Sequence, residues 1–260
     1  MVKYKRIGLF VGHSKLKNGY YTSAIGVKNE YLYNKELGTK MKQWFDSIGQ
    51  PCDLIVCPEG KFTSAKEESG YKLPIANSGK YDLIIELHLN ASDGVGNGAE
   101  VLYSSANGSK VATRIQNKLS TVFKNRKAKK RTDLYILNKT TPTAVLLETF
   151  FCDNKKDCQL ADSKGTKELA RLIVEGVVDG TVKETASTTS NKRYMVNTST
   201  LNVRSGRGTE FKIVGTLKEG QVVEIWSVGV DSKGDNWGSF RYGFNPDIIG
   251  YIHMNYLKQI

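Results

Sequence analysis

The sequence predicts an α/β domain with a largely parallel, twisted sheet and helices on both faces, followed by a small β-barrel. Two observations carry this. Through about residue 180, short apolar runs alternate with stretches of helical periodicity. Beyond a small, polar segment the texture changes to closely spaced strand-like runs separated by glycine turn signals.

The apolar runs at 7–11, 54–57, 83–87, 101–103, 134–137 and 144–147 read as short strands. Between them, residues 30–48 place Leu37, Met41, Trp44 and Ile48 on one helical face. Val111, Ile115, Leu119 and Val122 make a second such face, and Leu169, Ile173 and Val177 a third. Strands buried on both sides by such helices belong in a parallel sheet. The segment Glu184-Thr185-Ala186-Ser187-Thr188-Thr189-Ser190-Asn191 has no periodicity and reads as linker. From Tyr194 onward, candidate strands recur at 201–203, 213–217, 222–226, 238–241 and 250–252, with turns at Gly206, Gly208, Gly220 and Gly234. The expected division is a first domain at 1–182, a linker at 183–192 and a second domain at 193–260.

The chain has 260 residues and is 39% hydrophobic, enough for real cores. Its net charge of +12 suits an acidic partner: nucleic acid, anionic lipid or the anionic polymers of a bacterial wall. The densest basic run, Lys124 to Arg131, reads as a solvated loop after a helix, with attraction to an acidic wall as the functional alternative. No nucleic-acid motif accompanies it. Cys52, Cys57, Cys152 and Cys158 form no Cys-x-x-Cys pair and are expected to be reduced. No apolar run reaches the ~18 residues of a membrane span, and no signal-peptide pattern opens the chain. The expectation is a protein made in the cytosol, without membrane insertion, whose export is not encoded in the chain.

The chemistry sits at strand ends. There are three histidines. His13 ends the first predicted strand and His88 the third, the position at which open α/β sheets bind ligands. Glu148 ends another apolar run and would be costly to bury without a partner. A catalytic zinc takes three protein ligands and keeps one position open. His13 and His88 supply two imidazoles. His253 lies in the second domain, so Glu30, at the start of the first long helix, is the better third ligand. Glu148 suits the acid/base role, with Glu86 as a rival on the same strand face as His88. Glu86 is ranked as lying behind the ligands, orienting an imidazole, or along the rim; Asn90 is placed with it.

At these residues the chain resembles the zinc-dependent N-acetylmuramoyl-L-alanine amidases, especially clostridial phage endolysins. The matching segments are Val11-Gly12-His13-Ser14, Val27-Lys28-Asn29-Glu30-Tyr31, Leu87-His88-Leu89-Asn90-Ala91-Ser92 and Leu147-Glu148-Thr149-Phe150-Phe151, in the family's order. The resemblance implies one zinc ion on His13, Glu30 and His88, catalysis by Glu148, and cleavage of the bond between N-acetylmuramic acid and L-alanine in peptidoglycan. It also implies release from the host cytoplasm to the cell wall through a pore protein. Glu86 stands where relatives often have a small or hydroxyl residue.

The second domain resembles bacterial SH3-type wall-binding domains, through Leu201-Asn202-Val203-Arg204-Ser205-Gly206-Arg207-Gly208, Asn236-Trp237 and Gly250-Tyr251-Ile252-His253. Trp226, Trp237, Tyr242, Phe244, Tyr251 and Tyr256 are candidates for a wall-binding groove, with the alternative that several fill the core. Three other activities stay open: a zinc endopeptidase cutting the stem peptide, a non-catalytic wall-binding protein, and a nucleic-acid binder.

Overall fold

The computed structural model describes residues 1–183, 192–231, 233–242 and 249–260. The chain forms two compact units, Met1–Lys183 and Glu184–Ile260.

The first unit contains β1 (Ile7–Val11), α1 (Glu30–Ser47), β2 (Cys52–Ile55), α2 (Ala65–Ala76), β3 (Leu83–Asn90), β4 (Ala99–Tyr103), α3 (Ala106–Leu119), β5 (Asn125–Lys130), α4 (Tyr135–Asn138), β6 (Thr143–Phe151), α5 (Lys155–Lys164) and α6 (Thr166–Val178). The six strands form one sheet in the order β2-β1-β3-β6-β4-β5. All neighbours run parallel except β4 and β6, so β4 and β5 point against the rest.

Strand alternation sorts the residues into two cores. Leu9, Ile85, Leu87, Val145 and Leu147 face one side, under Leu37 and Met41 of α1, Ile115 of α3 and Ile173 of α6. Phe10, Ile84, Ala144 and Leu146 face the other, against Ala76 of α2 and Ile136 of α4. Helices thus cover both faces.

Three sequence readings need correction. Residues 134–137 are not a strand: Tyr135–Asn138 is a short helix, whose Ile136 and Leu137 are buried on the sheet. The basic run is not a loop, because Asn125–Lys130 is the edge strand β5. Lysines on an edge strand discourage pairing with another chain, which reconciles the composition with the strand. The second strand begins two residues earlier than read, at Cys52. All four cysteines are buried and free.

The α3–α6 crossing gives one stability test. A Cβ at Gly176 would stand 2.7 Å from the Ile115 Cα and 2.9 Å from its nitrogen. Alanine in a helix interior normally gains up to ~1 kcal/mol over glycine. Here backbone must move instead, and overpacking costs roughly 1–3 kcal/mol. Gly176→Ala is therefore expected to lower the urea midpoint; an unchanged or raised midpoint would show that the crossing yields freely.

The second unit contains β7 (Lys192–Val196), β8 (Thr200–Arg204), β9 (Ile213–Lys218), β10 (Val222–Ile225), β11 (Ser227–Val230), β12 (Asn236–Arg241), β13 (Ile249–His253) and β14 (Leu257–Gln259). They form sheets ordered β10-β7-β14 and β11-β12-β13-β8-β9, antiparallel throughout. Val196, Val203, Val223, Phe240 and Ile252 fill the barrel core.

Candidate metal centre

Alternation along β3 and β6 sets the site. Glu86 and His88 follow Ile84, and Glu148 follows Ala144 and Leu146, so all three lie on the face covered by α2 and α4. His88 and Glu148 are register partners on adjacent parallel strands. His13 follows β1 with a positive φ of 64°, a strained conformation for a residue with a Cβ. Gly12 leaves room for the neighbouring ring: a Cβ there would lie 2.4 Å from the His88 Cε1. Glu30 opens α1, where Asn29 caps the helix by accepting from the Leu32 N–H at 3.0 Å.

Three donor atoms converge. Glu30 Oε1 lies 3.1 Å from His13 Nε2 and 3.0 Å from His88 Nδ1, and the two ring nitrogens are 3.2 Å apart. A tetrahedral zinc with bonds of 2.0–2.1 Å needs donors about 3.3–3.4 Å apart, so this triangle fits the ion with little movement. Backbone N–H groups of Ala24 and Leu89 donate to the Glu30 carboxylate, each at 3.0 Å, and fix its orientation. Burial alone would raise the Glu30 pKa, but hydrogen bonds from His13 and His88 outweigh it and hold the carboxyl well below its usual range. Burial would lower His88, yet Glu30 and Glu86 raise it to about 10.

Glu148 differs from these carboxylates. Its Oε2 is buried with no hydrogen-bond partner. Burial lifts its pKa to about 7, against the pull of His88 and helped by Glu30, Glu100 and Glu86. A carboxyl poised there can both take and return a proton at neutral pH. Glu86 is not its equal. Lys72 binds Glu86 Oε1 at 2.9 Å, with the two side chains 1% exposed each, and the Tyr135 hydroxyl donates to the same oxygen at 2.9 Å. Burial would raise Glu86, but Lys72 foremost and then His88 hold it well below the carboxylate range. Glu86 thus stays ionised behind His88. Asn90 lines the cavity and donates to Glu100 at 3.2 Å.

His13, Glu30, His88 and Glu148 open onto one cavity of about 390 Å³, walled opposite by Leu134, Tyr135 and Ile136. Sequence reading missed Thr22, Glu68, Lys72 and Tyr135 around it. The i, i+4 pair Glu68 and Lys72 was the available signal for two of them. His253 belongs to the second unit, 3.7 Å from Asp235.

Of the wall-binding candidates, Trp226 and Tyr242 line a cavity of about 650 Å³ in the second unit. The Arg241 guanidinium lies over the Trp226 ring at 5.7 Å. Tyr251 is half-buried beneath Arg207. Trp237 is 2% exposed, with its indole N–H on Asp231, and so belongs to the packing of the barrel instead of a groove. Phe244 lies outside the described residues.

His88 and Glu148 do not end their strands, which run on to Asn90 and Phe151. A carboxylate and two imidazoles converging beside a desolvated acid, toward the carboxyl ends of parallel strands, suit metal-assisted hydrolysis. The chain belongs to the N-acetylmuramoyl-L-alanine amidase family, which residues 7–179 match; residues 199–258 match the bacterial SH3 domain. The catalytic domain of the CD27L endolysin, which targets Clostridia difficile, is 54% identical with a TM-score of 0.67, over 68% of this chain and 99% of that one. Cwp6 from Clostridium difficile is 26% identical with a TM-score of 0.59, over 70% of this chain and 30% of that one. An uncharacterized 38.4 kDa protein of Clostridium perfringens is 28% identical over a 180-residue alignment that covers 61% of this chain. The match spans about half of that relative, 53% of its length.

Proposed function

We propose that the chain is an endolysin-type peptidoglycan amidase that hydrolyses the bond between N-acetylmuramic acid and L-alanine. One zinc ion is held by His13, Glu30 and His88, and Glu148 is the acid/base group. The observation that carries this reading is the donor triangle of 3.0–3.2 Å beside Glu148, whose Oε2 has no partner, in a chain of this family.

Zinc bound there would supply a Lewis acid for the scissile carbonyl and lower the pKa of water to about 7. The chain's own residues do the rest. Glu148 takes a proton from the attacking water as its oxygen bonds to the carbonyl carbon. It returns that proton to the alanine nitrogen as the carbon–nitrogen bond breaks, leaving a carboxylic acid on the sugar and a free amine on the peptide. The apolar wall formed by Leu134 and Ile136 limits water at the reacting bond.

Residues 1–182 carry catalysis on this reading, and 193–260 hold the wall, with Trp226 and Tyr242 as the ligand-facing aromatics. The basic edge strand β5 supports attraction to anionic wall polymers. Among the described residues no helix is long and apolar enough to cross a membrane; release to the wall through a pore protein is part of the proposal.

Digestion of purified peptidoglycan tests the bond. New N-terminal alanine with intact glycan strands is expected. New amino termini from within the stem peptide would replace the amidase reading with an endopeptidase. Retention on the wall without any new terminus would leave a binding protein.

A further inference from the structure

We infer that helix α2 is a brace for both imidazoles of the metal centre, with Thr22, Glu68, Lys72 and Glu86 as positioning residues that fix which ring nitrogen of each histidine is free to bind the ion. The inference rests on the zinc reading above and adds to it.

The His13 arm follows from counting donors and acceptors. A threonine hydroxyl has one proton to give and two lone pairs to receive. Thr22 gives its proton to Glu68 Oε1 at 2.5 Å and receives the Ser14 N–H at 3.0 Å. Ser14 Oγ donates to the same Glu68 oxygen at 2.8 Å, which locks the carboxylate in place. One lone pair on Thr22 is left, and His13 Nδ1 lies 3.4 Å from it. With the hydroxyl proton committed to Glu68, Nδ1 must be the donor in that contact. Nε2, the nitrogen facing Glu30 and His88, is then the one with a free lone pair.

The His88 arm reverses the nitrogens and reaches the same end. Here Nδ1 faces Glu30, and Nε2 lies 3.4 Å from Glu86 Oε2. That oxygen is buried and makes no hydrogen bond, so the Nε2 contact, at ion-pair distance, is the polar group nearest to satisfying it. The other Glu86 oxygen is taken by Lys72 and Tyr135. An ionised carboxylate can only accept, so it holds the proton on Nε2 and leaves Nδ1 as the nitrogen that gives up its proton to the ion. Lys72, buried beside it at 2.9 Å, supplies the opposite charge that a buried carboxylate requires.

Glu68 and Lys72 sit four residues apart, on adjacent turns of one face of α2. Their charges are opposite, as the two arms require. Lys72 acts through an acceptor, and Glu68 acts through a hydroxyl that it converts into an acceptor. Both are buried, and nothing else in the proposed mechanism uses them.

The test uses the whole chain, Thr22→Val, Lys72→Met and zinc itself. Zinc affinity is read by competition with a chromophoric chelator. Histidine nitrogen shifts and couplings, read by NMR on metal-free ¹⁵N-histidine protein at alkaline pH, show which nitrogen of each ring keeps its proton. Each variant is expected to weaken zinc binding ~10–100-fold, the usual effect of removing a group that orients a ligand. Loss of the Nδ1 proton preference should be confined to His13 in Thr22→Val, and loss of the Nε2 preference to His88 in Lys72→Met. Thr22→Ser, which restores the hydroxyl, should restore both readouts for His13. If Lys72→Met does not fold, the double variant Lys72→Met with Glu86→Leu removes both buried charges together and should still release His88. Wild-type affinity and unchanged tautomers in folded variants would overturn the brace. Failure of the wild type to bind zinc would instead overturn the metal reading, and the brace with it.

Discussion

Glu148→Gln is expected to cut the rate of wall hydrolysis by ~10²–10⁴-fold, the range that a positioned acid/base contributes, while zinc stays bound. The substitution keeps shape and removes only the ability to take up and return a proton. Glu148 is not a corner of the donor triangle, so metal content measured by atomic emission should match the wild type. Burial has two effects at this residue. It lifts the pKa to about 7, and it leaves Oε2 without a partner that would compete for the proton. The amide introduced by the substitution would face the same dry environment without a charge to desolvate, so the variant should be at least as stable as the wild type. Retained activity in Glu148→Gln would transfer the role to another group. Glu86 is poorly placed to take it, because Lys72 and Tyr135 already hold one of its oxygens.

How much of this site the sequence discloses depends on whether a residue's role is local. His13, His88 and Glu148 are legible because each terminates an apolar run, and strand ends in such sheets converge by construction. Period-two alternation also puts Glu86 on the face of His88, which the structure bears out. What no local pattern can say is which of Glu86 and Glu148 is held ionised. That is decided by Lys72, fourteen residues before Glu86 on a different element. The helix carrying it escapes the sequence reading because Gly70 and Pro74 interrupt its pattern and its buried residues, Glu68, Lys72 and Ala76, are mostly charged. A helix that buries charges to hold a site does not show the apolar stripe by which helices are found.

The fold shows the same limit. Buried strands are found where both faces are apolar. The edge strand β5 has one small apolar residue, Ala128, and its long basic side chains read as solvent-facing loop. Its role is visible only in three dimensions: Arg126 and Lys129 bind Glu100, which pairs in register with Glu148 across β4 and β6. The short helix α4 reads as a strand because the four residues Leu-Tyr-Ile-Leu carry too little periodicity to separate the two.

The other large effect is expected from Glu30→Gln, which should abolish hydrolysis by losing the ion. Glu30 is the corner of the donor triangle that the sequence supports least, since a first-turn acid also serves the helix dipole. The structure separates the two roles. An acid serving the dipole would be exposed at the helix start, whereas Glu30 is 3% exposed and turned into the sheet. There it receives Leu89 and Ala24 N–H groups and both imidazoles. Zinc sites of four ligands are worth about 10–16 kcal/mol, so one charged ligand accounts for roughly 3 kcal/mol or more, about 10²-fold in affinity. Wild-type protein in zinc at about a hundred times its dissociation constant should gain ~2.7 kcal/mol of stability over the metal-free form. Under the same zinc concentration Glu30→Gln should gain only a few tenths, read as a nearly unchanged thermal midpoint with and without the metal. If Glu30 served only the helix, its loss would lower both midpoints together and leave the gap between them intact.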